Sequence, residues 1–438
     1  MVENKVIHRP DYLAALERHR VTSGLIKMIT GIRRCGKSTI LKMYQDTLRS
    51  GGIQDEQILA INFEDFDNKP LLDGTKLYQF VKKRTAKNKQ NYVFLDEVQL
   101  VSEFAEVINS LRMRKNIDLY VTGSNSSLLA DRLPKILGGR YIQIHMLPLS
   151  FREYMSGYKD EAFIAKCDGQ FKANGSLMGD GFANQDIIFQ QYLESGSFPE
   201  TLVYRKSATA WDQEGIREYL SHIYQSIIMR DVMLHDDVKE LPQLTRVVNF
   251  LFSNIGSETS INNMVGVVNN EFKLRPNDKK LYAPMLEKYL EALLDCFVFY
   301  RVERHTNGKQ LLRTNAKYYA VDTGLRYYLL GGTAQTDAGH LLENVVYLEL
   351  LRRGYKINTG KMGDKEIDFV AQKPGGLIEY YQVAQSVMDE NTLAREIEPL
   401  REQAKKDNYP KFLLTRDYDH NNYKGIQHIN VLDWLLEK

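Results

Sequence analysis

The sequence has 438 residues, enough for two or three domains, and a hydrophobic content of 43% that suits ordinary buried cores. Lysine and arginine number 58 against 56 acidic residues, so the net charge of +2 excludes a global bias toward nucleic acid or membrane. Cys35, Cys167 and Cys296 are widely separated, which argues for a reducing compartment without a disulfide or zinc framework. The absence of an 18-residue apolar run or a signal-peptide core predicts a cytoplasmic chain without a membrane span.

The first predicted elements surround a phosphate-binding pattern. An amphipathic helix over Pro10–Arg18 leads to a buried strand over Leu25–Thr30, and Gly31–Ser38 then fits G-x-x-x-x-G-K-S/T at every specified position. A helix follows from Ser38 to Tyr44, so the pattern has the strand, loop and helix that its mechanism requires. Backbone N–H groups of such a loop turn inward around phosphate oxygens, and the helix directs its positive end at the same anion.

The loop residues have separate expected roles. Lys37 should reach the β- and γ-phosphates of a nucleotide, Ser38 should place its hydroxyl on Mg²⁺, and Thr39 should contact the α-phosphate. We expect the helix over Pro10–Arg18 to flank the base. The alternative is a chance glycine-rich turn. The predicted nucleotide-binding residues are Gly31, Ile32, Arg33, Arg34, Cys35, Gly36, Lys37, Ser38 and Thr39.

A second strand ends in two acids. The apolar run Tyr92–Leu95 predicts a buried parallel strand, and Asp96 and Glu97 follow it directly. Ligands of open α/β sheets bind at the carboxyl ends of strands, so both acids should lie near the phosphates. Asp96 would hold Mg²⁺ and Glu97 would act as general base toward the attacking water. An exposed acidic turn is the alternative interpretation.

The intervening elements predict a mainly parallel sheet. Gln57–Phe63 is a strand, Gly74–Lys83 and Phe104–Arg114 are helices, and another strand begins at Ile117, so strands and helices alternate. This last strand ends in polar residues, of which Thr122, Ser124 or Asn125 could bind the γ-phosphate or its water. A plain turn with a helix cap is the alternative.

A helix from Leu128 to Ile136, two glycines, Arg140 and a strand over Tyr141–His145 come next. Here the chain resembles the AAA+ ATPases, in particular prokaryotic ATP-binding proteins whose AAA+ domain is fused to a C-terminal domain family of uncharacterised function. The resemblance spans essentially the whole chain and is carried by GIRRCGKSTIL (Walker A), FLDEVQ (Walker B), VTGSNSSLL, LGGRY, LPLSFREY, GSFPE and the acidic strand Glu366–Val370. It implies an arginine finger that reaches the γ-phosphate of a neighbouring protomer. Arg140 is the candidate and Arg132 the second, with a helix-capping role as the alternative.

Beyond residue 150 the pattern becomes helical. Asp168 to Gln185 predicts an irregular insertion, and Trp211 to Met233 predicts a helix of a lid or connector. Three helices and a hairpin then predict a winged helix over residues 241–335. Its third helix has few basic residues, whereas the hairpin carries Arg301, Arg304, Lys309, Arg313 and Lys317. The hairpin could therefore contact DNA phosphates without reading bases, or the whole unit could be structural or bind protein.

The C-terminal elements follow the order αβββαβ, which is similar to restriction-endonuclease-like folds of the PD-(D/E)xK type. In that chemistry carboxylates and a lysine bind Mg²⁺ and position a nucleophilic water. Glu343 and Asp368 match the first two positions, but Gln382 and Ala384 stand where the E-x-K pair should be. The pattern favours a degenerate nuclease fold, with metal-dependent cleavage as the alternative.

The sequence thus predicts an α/β protein with four parts: an N-terminal P-loop NTPase domain with a parallel sheet (1–150), a helical connector (151–240), a winged-helix-like part (241–335) and a restriction-endonuclease-like domain (336–438). We expect ATP and Mg²⁺ as cofactors and ATP hydrolysis that drives motions on a bound macromolecule, DNA or a protein client, in a homo-oligomer. One alternative is an ATP-dependent nuclease of a defence or mobile-element system. Another is a nucleotide-dependent switch or scaffold with little turnover.

Overall fold

The computed structural model describes residues 6–21, 24–123, 136–157, 180–204, 212–233, 238, 240–271, 280–305, 315–332, 338–362 and 365–437. The chain forms two compact units, one of Val6–Pro148 with Asp295–Phe297 and the other of Leu149–Leu294 with Val298–Lys438. Within the described ranges, every helix is too short or too polar to cross a membrane.

A five-stranded parallel sheet forms the centre of the first unit, as the alternating pattern predicts. Its strands are β1 (Ile26–Thr30), β2 (Ile58–Asn62), β3 (Asn91–Asp96), β4 (Ile117–Gly123) and β5 (Tyr141–His145). They lie side by side in the order β2-β3-β4-β1-β5, with every pair parallel. Because β4 lies between β1 and β3, the phosphate-binding pattern and the two acids leave the sheet at one edge, on either side of the end of β4.

Helices cover this sheet and fix the ends of its strands. They are α1 (Pro10–Arg18), α2 (Lys37–Ser50), α3 (Gly74–Arg84) and α4 (Phe104–Arg112). Helix α2 buries Ile40, Leu41, Tyr44 and Leu48, the spacing of one helical face. Strands β1, β3 and β4 are buried along their whole length, as expected for strands that are covered on both sides.

The second unit begins with helices. They are α5 (Phe151–Gly157), α6 (Asp180–Ser195), α7 (Gln213–Ser226) continued by a π-helical turn (Ile227–Val232), α8 (Leu241–Ser253), α9 (Ile261–Glu271) and α10 (Ala283–Asp295). The predicted irregular insertion ends earlier than expected, because α6 starts at Asp180. Its residues 168–179 lie outside the described ranges.

A hairpin follows α10. Strands β6 (Phe299–Glu303) and β7 (Ala316–Ala320) pair antiparallel, and Thr259 exchanges two backbone hydrogen bonds of 3.0 Å with Ala316 at the edge of β7. Three helices and a hairpin therefore occur in the predicted order. A winged-helix fold for this part stays a prediction.

The C-terminal part is a six-stranded mixed sheet with helices. Its elements, after the short helix α11 (Thr323–Leu329), are α12 (Ala338–Arg352), β8 (Lys356–Met362), β9 (Lys365–Gln372), β10 (Ile378–Val383), α13 (Glu390–Ala404), β11 (Lys411–Thr415), β12 (Asn422–Tyr423), β13 (Ile426–Asn430) and α14 (Val431–Leu436). The strand order is β12-β13-β11-β10-β9-β8. The αβββαβ succession is present and is extended by β12, β13 and α14, while its nuclease-like nature stays a prediction.

Candidate functional site

The loop between β1 and α2 depends on its two glycines. Gly31 has φ 148° and Gly36 has φ 103°, in the left-handed region that favours glycine. A Cβ at position 31 would lie 2.0 Å from the carbonyl oxygen of Met146. Neither position accepts a larger residue without movement of the backbone, so the glycines of the pattern are required by the shape of the loop.

Lys37, the first residue of α2, is held inside this loop. Its side chain is only 3% exposed, and Nζ donates hydrogen bonds to the carbonyl oxygens of Gly31 (2.9 Å) and Ile32 (3.1 Å). The nearest carboxylate oxygen is Oε1 of Glu97, 3.9 Å away. The ammonium is thus bound mainly by neutral carbonyls, which an anionic phosphate can replace as its partner.

The remaining loop residues divide by exposure. Ile32 and Cys35 are buried, and burial raises the pKa of the Cys35 thiol, which therefore stays neutral. Arg34, Ser38 and Thr39 are exposed. Arg33 reaches the end of β2, where Nη1 donates to Oε1 of Glu64 at 2.9 Å.

Asp96 and Glu97 are both 7% exposed and are organised by one threonine of β4. The hydroxyl of Thr122 donates to the Asp96 carboxylate and accepts a hydrogen bond of 2.9 Å from the Glu97 backbone N–H. Thr122 is therefore bound to the two acids in this structure, whereas the sequence placed it among the candidates for γ-phosphate contact. Ser124 and Asn125 lie outside the described residues.

The Asp96 carboxylate also faces the phosphate loop. Burial raises its pKa, and hydrogen bonds from Ser38 and Thr122 act in the opposite direction. The structure thus brings the Ser38 hydroxyl to the Asp96 carboxylate. Hydroxyl and carboxylate oxygens are the ligands that Mg²⁺ prefers, so these two residues fit the expected metal.

Glu97 stands at the boundary between β3 and the following turn. Its backbone is left-handed, with φ 57°, and its Oε2 accepts a hydrogen bond of 2.5 Å from Nε2 of Gln99. The other oxygen, Oε1, is the one near Lys37. Glu97 is therefore oriented by Thr122 and Gln99 at the same edge of the sheet as the phosphate loop.

Arg140 lies elsewhere. It is exposed and precedes β5, at the amino end of the strand, whereas the phosphate loop follows the carboxyl end of the neighbouring β1. Parallel strands put these two ends at opposite edges of the sheet, so Arg140 cannot reach the loop of its own chain. Its charge instead acts on Arg112, whose pKa is lowered by burial and by Arg140. Arg132 lies outside the described residues.

The second unit contains a buried carboxylate cluster around a lysine. Nζ of Lys317, on β7, is 2.8 Å from Oε1 of Glu343, 3.0 Å from Oε1 of Glu366 and 4.0 Å from Oδ1 of Asp368. Burial alone would lower the pKa of Lys317, but these three carboxylates raise it above its ordinary value. Tyr319 adds a hydrogen bond of 2.6 Å to the same oxygen of Glu343.

The other side chains predicted for metal-dependent chemistry also contact protein groups. Gln382 donates from Nε2 to Glu396 at 2.9 Å, and Asp368 accepts a hydrogen bond of 2.8 Å from the backbone of Val383. Ala384 is buried and belongs to the apolar core of this sheet. Among the described residues, no set of three or more His, Cys, Asp or Glu side chains is arranged to hold a metal ion.

Comparison with known families agrees with the nucleotide site. The AAA domain family matches residues 23–155, and a domain of unknown function (DUF8612) matches residues 187–336. Together with the AAA match, the parallel sheet, the phosphate loop and the two acids at the end of β3 define an AAA-type P-loop domain, and the second match assigns the segment that follows to a domain of unknown function.

Relatives extend over the whole chain. An uncharacterised protein of Haemophilus influenzae is 34% identical over 436 residues, which is 99% of both chains, and the chain belongs to the same family as that protein. An uncharacterised protein of Methanocaldococcus jannaschii is 26% identical over 355 residues, covering 79% of this chain and 71% of that protein.

Two solved structures show weaker likeness. The Walker-type ATPase of Pyrococcus abyssi has 14% identity and a TM-score of 0.47, covering 75% of this chain and 97% of its own. The Aeropyrum pernix ORC2 protein has 13% identity and a TM-score of 0.43, covering 79% of this chain and 95% of its own. At these scores the likenesses carry no functional information.

For three residues of these sites the sequence motifs do not indicate the contacts that the structure shows. Arg9, before α1, contacts the phosphate loop, and Thr122 joins the two acids. Lys317 is one of the basic residues assigned to the hairpin surface, yet its ammonium is buried among carboxylates. A motif reports neighbours along the chain, whereas each of these contacts joins segments at least 25 residues apart.

Proposed function

We propose that the first unit binds and hydrolyses ATP with Mg²⁺. The observation that supports this most directly is the convergence of Lys37, Ser38, Asp96 and Glu97 at the carboxyl ends of β1 and β3. A catalytic site for phosphoryl transfer needs little covalent chemistry from the protein, and positioning together with electrostatic stabilisation supplies most of the rate. These four side chains provide the required charges and proton acceptor.

Each residue has a distinct task in this proposal. The loop amides and Lys37 bind the β- and γ-phosphates, for which Lys37 leaves the carbonyls of Gly31 and Ile32. Ser38 and Asp96 would hold Mg²⁺, which when bound neutralises charge on the phosphates. Glu97 accepts a proton from the attacking water. Thr122 holds its backbone N–H and Gln99 holds its carboxylate.

Glu97→Gln tests the general base. The amide keeps the size of the side chain but cannot accept the proton, so ATP should still bind while hydrolysis falls by about 10²- to 10⁴-fold. Turnover is measured by phosphate release and binding by fluorescence of a labelled ATP. Glu103→Gln, an exposed glutamate in the next turn, is the matched control. Wild-type turnover in Glu97→Gln would refute the assignment, and negligible turnover in the wild type would favour the nucleotide switch.

We infer that Arg140 acts on a neighbouring protomer, because its place at the amino end of β5 separates it from its own phosphate loop. Wild-type specific activity should then rise with protein concentration, and Arg140→Ala should bind ATP normally but hydrolyse it slowly. Arg18→Ala, another exposed arginine of this unit, serves as the control. Turnover that is independent of concentration in a demonstrated monomer would refute a role across an interface.

For the C-terminal part, we propose a module that binds a macromolecule without cleaving it. Its support is the Lys317 ammonium among Glu343, Glu366 and Asp368, together with Ala384 at the position of the missing lysine. The full-length protein should not cleave linear, branched or single-stranded DNA with Mg²⁺ or Mn²⁺, and Asp368→Ala should leave ATP turnover unchanged if the fold persists. Cleavage that is lost in Asp368→Ala would establish the nuclease alternative.

The charges of the hairpin favour a protein client over DNA. Nη2 of Arg301 is 3.2 Å from Oε1 of Glu303, and Nη2 of Arg304 is 2.5 Å from Oε1 of Glu258. With Lys317 buried, the basic side chains of the described hairpin residues are each paired with an acid. Lys309 and Arg313 lie outside those residues. A cation that is already paired with a carboxylate gains less from a DNA phosphate than an unpaired one. DNA binding that weakens steeply between two salt concentrations would favour DNA as the client, and its absence would favour a protein.

A further inference from the structure

Arg9 is a buried cation next to the phosphate loop that the proposed chemistry does not use. It precedes α1 and is 4% exposed. Its Nη1 donates to the carbonyl oxygen of Cys35 at 3.0 Å, and its Nη2 donates to the carbonyl oxygens of Leu147 (2.9 Å) and Pro148 (3.3 Å). One guanidinium therefore joins the phosphate loop to the segment that follows β5.

The Cys35 carbonyl belongs to the peptide that leads into Gly36. A trans peptide is planar, and its C=O and N–H bonds point in opposite directions. A donor that holds the oxygen of Cys35 therefore also sets the direction of the Gly36 N–H, one of the loop amides expected to face the phosphates. Gly36 is left-handed and precedes α2, so helical hydrogen bonding does not hold this peptide in place.

The segment after β5 supports the other end of the loop. The Met146 N–H donates to the carbonyl oxygen of Thr30 at 2.7 Å, and the Met146 carbonyl is the group that a side chain at Gly31 would strike. The neighbouring Leu147 N–H donates to the hydroxyl of Tyr12, whose ring lies 4.5 Å from the Arg9 guanidinium carbon. Arg9 thus connects the segment that abuts the start of the loop with the peptide near its end.

We propose that Arg9 is a positioning residue of the nucleotide site, which orders the Cys35–Gly36 peptide so that its amide is already directed at the phosphates before nucleotide binds. The inference rests on the proposed ATP binding. A preformed loop lowers the entropic cost of ordering the loop when nucleotide binds. Loss of the guanidinium should therefore weaken nucleotide affinity more than it weakens the fold. Once nucleotide is bound, the catalytic Glu97 is unaffected.

The test compares Arg9→Gln and Arg9→Lys with Arg49→Gln, an arginine of α2 that is 41% exposed and pairs only with surface acids in the described contacts. Labelled ATP is titrated in each protein, kcat and KM are measured, and thermal unfolding is followed without nucleotide. Arg9→Gln should weaken affinity and raise KM about tenfold to a hundredfold, the range for losing hydrogen bonds from a charged donor, with kcat largely kept.

Arg9→Lys should recover only part of the affinity, since an ammonium has no planar fork to bridge separate carbonyls. Arg49→Gln should match the wild type.

Other outcomes are decisive as well. Wild-type affinity and KM in folded Arg9→Gln would overturn the proposal, as would a fall in unfolding temperature with unchanged affinity. If Arg9→Gln does not fold, Arg9→Lys decides, because wild-type affinity in that variant excludes the bridging role. A wild-type chain that binds no ATP would refute the proposed function itself. Binding that is lost in Lys37→Ala but kept in both Arg9 variants would refute only the role of Arg9.

Discussion

Two buried lysines, one in each unit, are held in opposite ways. As whole residues, Lys37 and Lys317 are each 4% exposed. The ammonium of Lys37 donates to two neutral carbonyls of its own loop, and its nearest carboxylate oxygen is 3.9 Å away. The ammonium of Lys317 has carboxylate oxygens at 2.8 Å and 3.0 Å and a third at 4.0 Å.

The difference indicates which of the two buried lysines is able to bind an anionic ligand. A lysine that is bound by neutral carbonyls forms stronger hydrogen bonds when an anionic phosphate replaces them, because both partners are then charged. A lysine already among carboxylates gains nothing from a new anion, and its removal leaves uncompensated buried charges. Burial alone therefore does not mark a binding lysine, whereas the charge of its partners does.

Lys317→Met should have the largest effect on stability. Methionine fills a similar volume without charge, so Glu343, Glu366 and Asp368 are left together without their cation, and the free energy of unfolding should fall by about 3–5 kcal/mol. Urea unfolding measures this change. ATP affinity of the protein that remains folded should not change.

The control for Lys317→Met is Lys356→Met, which removes an exposed lysine at the start of β8. Unchanged stability in Lys317→Met would mean that the cluster loses its charges by protonation or gains another cation. Tight Mn²⁺ binding by the wild type, lost on mutation of Glu343, would show that the cluster is a metal site after all.

Lys37→Met is the counterpart in the nucleotide site. Its ammonium donates mainly to backbone carbonyls, so stability should change by less than about 1 kcal/mol, while ATP turnover should fall by roughly 10²-fold or more through loss of phosphate contacts. Calorimetry with ATP and thermal unfolding without it separate the two quantities. Normal ATP affinity in a folded variant would contradict the phosphate-loop assignment.

The sequence predicts the arrangement of the candidate nucleotide site well, because a phosphate loop is local. Gly31, Gly36 and Lys37 act through the backbone of one short segment, and Asp96 and Glu97 follow from the rule that ligands bind at strand ends. The parallel sheet follows from alternating strands and helices, and the AAA match agrees with it.

The second unit shows where this reasoning stops. The sequence identifies Glu343 and Asp368 and notes the missing lysine at Ala384, but it assigns Lys317 to a basic hairpin. Successive side chains of β7 point to opposite faces of the hairpin. Only tertiary packing decides which face is exposed to solvent and which faces α12 and β9. Arg9 is not predicted at all and Thr122 is predicted with a different partner for the same reason, because their partners are distant along the chain.

Asp368→Asn tests the excess of negative charge around Lys317 and should have the smallest effect. Burial, and then the charge of Glu343, raise the pKa of Asp368 well above its ordinary value, although Lys317 opposes them. An acid whose pKa is raised by folding has no effect on stability below its unfolded pKa. It destabilises the fold increasingly as pH rises from the unfolded pKa toward the folded pKa, above which the effect is complete. The asparagine carbonyl can still accept the hydrogen bond from Val383.

The unfolding temperature of Asp368→Asn should therefore be a few degrees above that of the wild type at pH 8, and this difference should shrink as pH falls. Asp419→Asn, at an exposed position of the same domain, should show no such trend. A lower unfolding temperature of Asp368→Asn at pH 8 would mean that Lys317 needs all three carboxylates, which would reverse the charge balance inferred for this cluster.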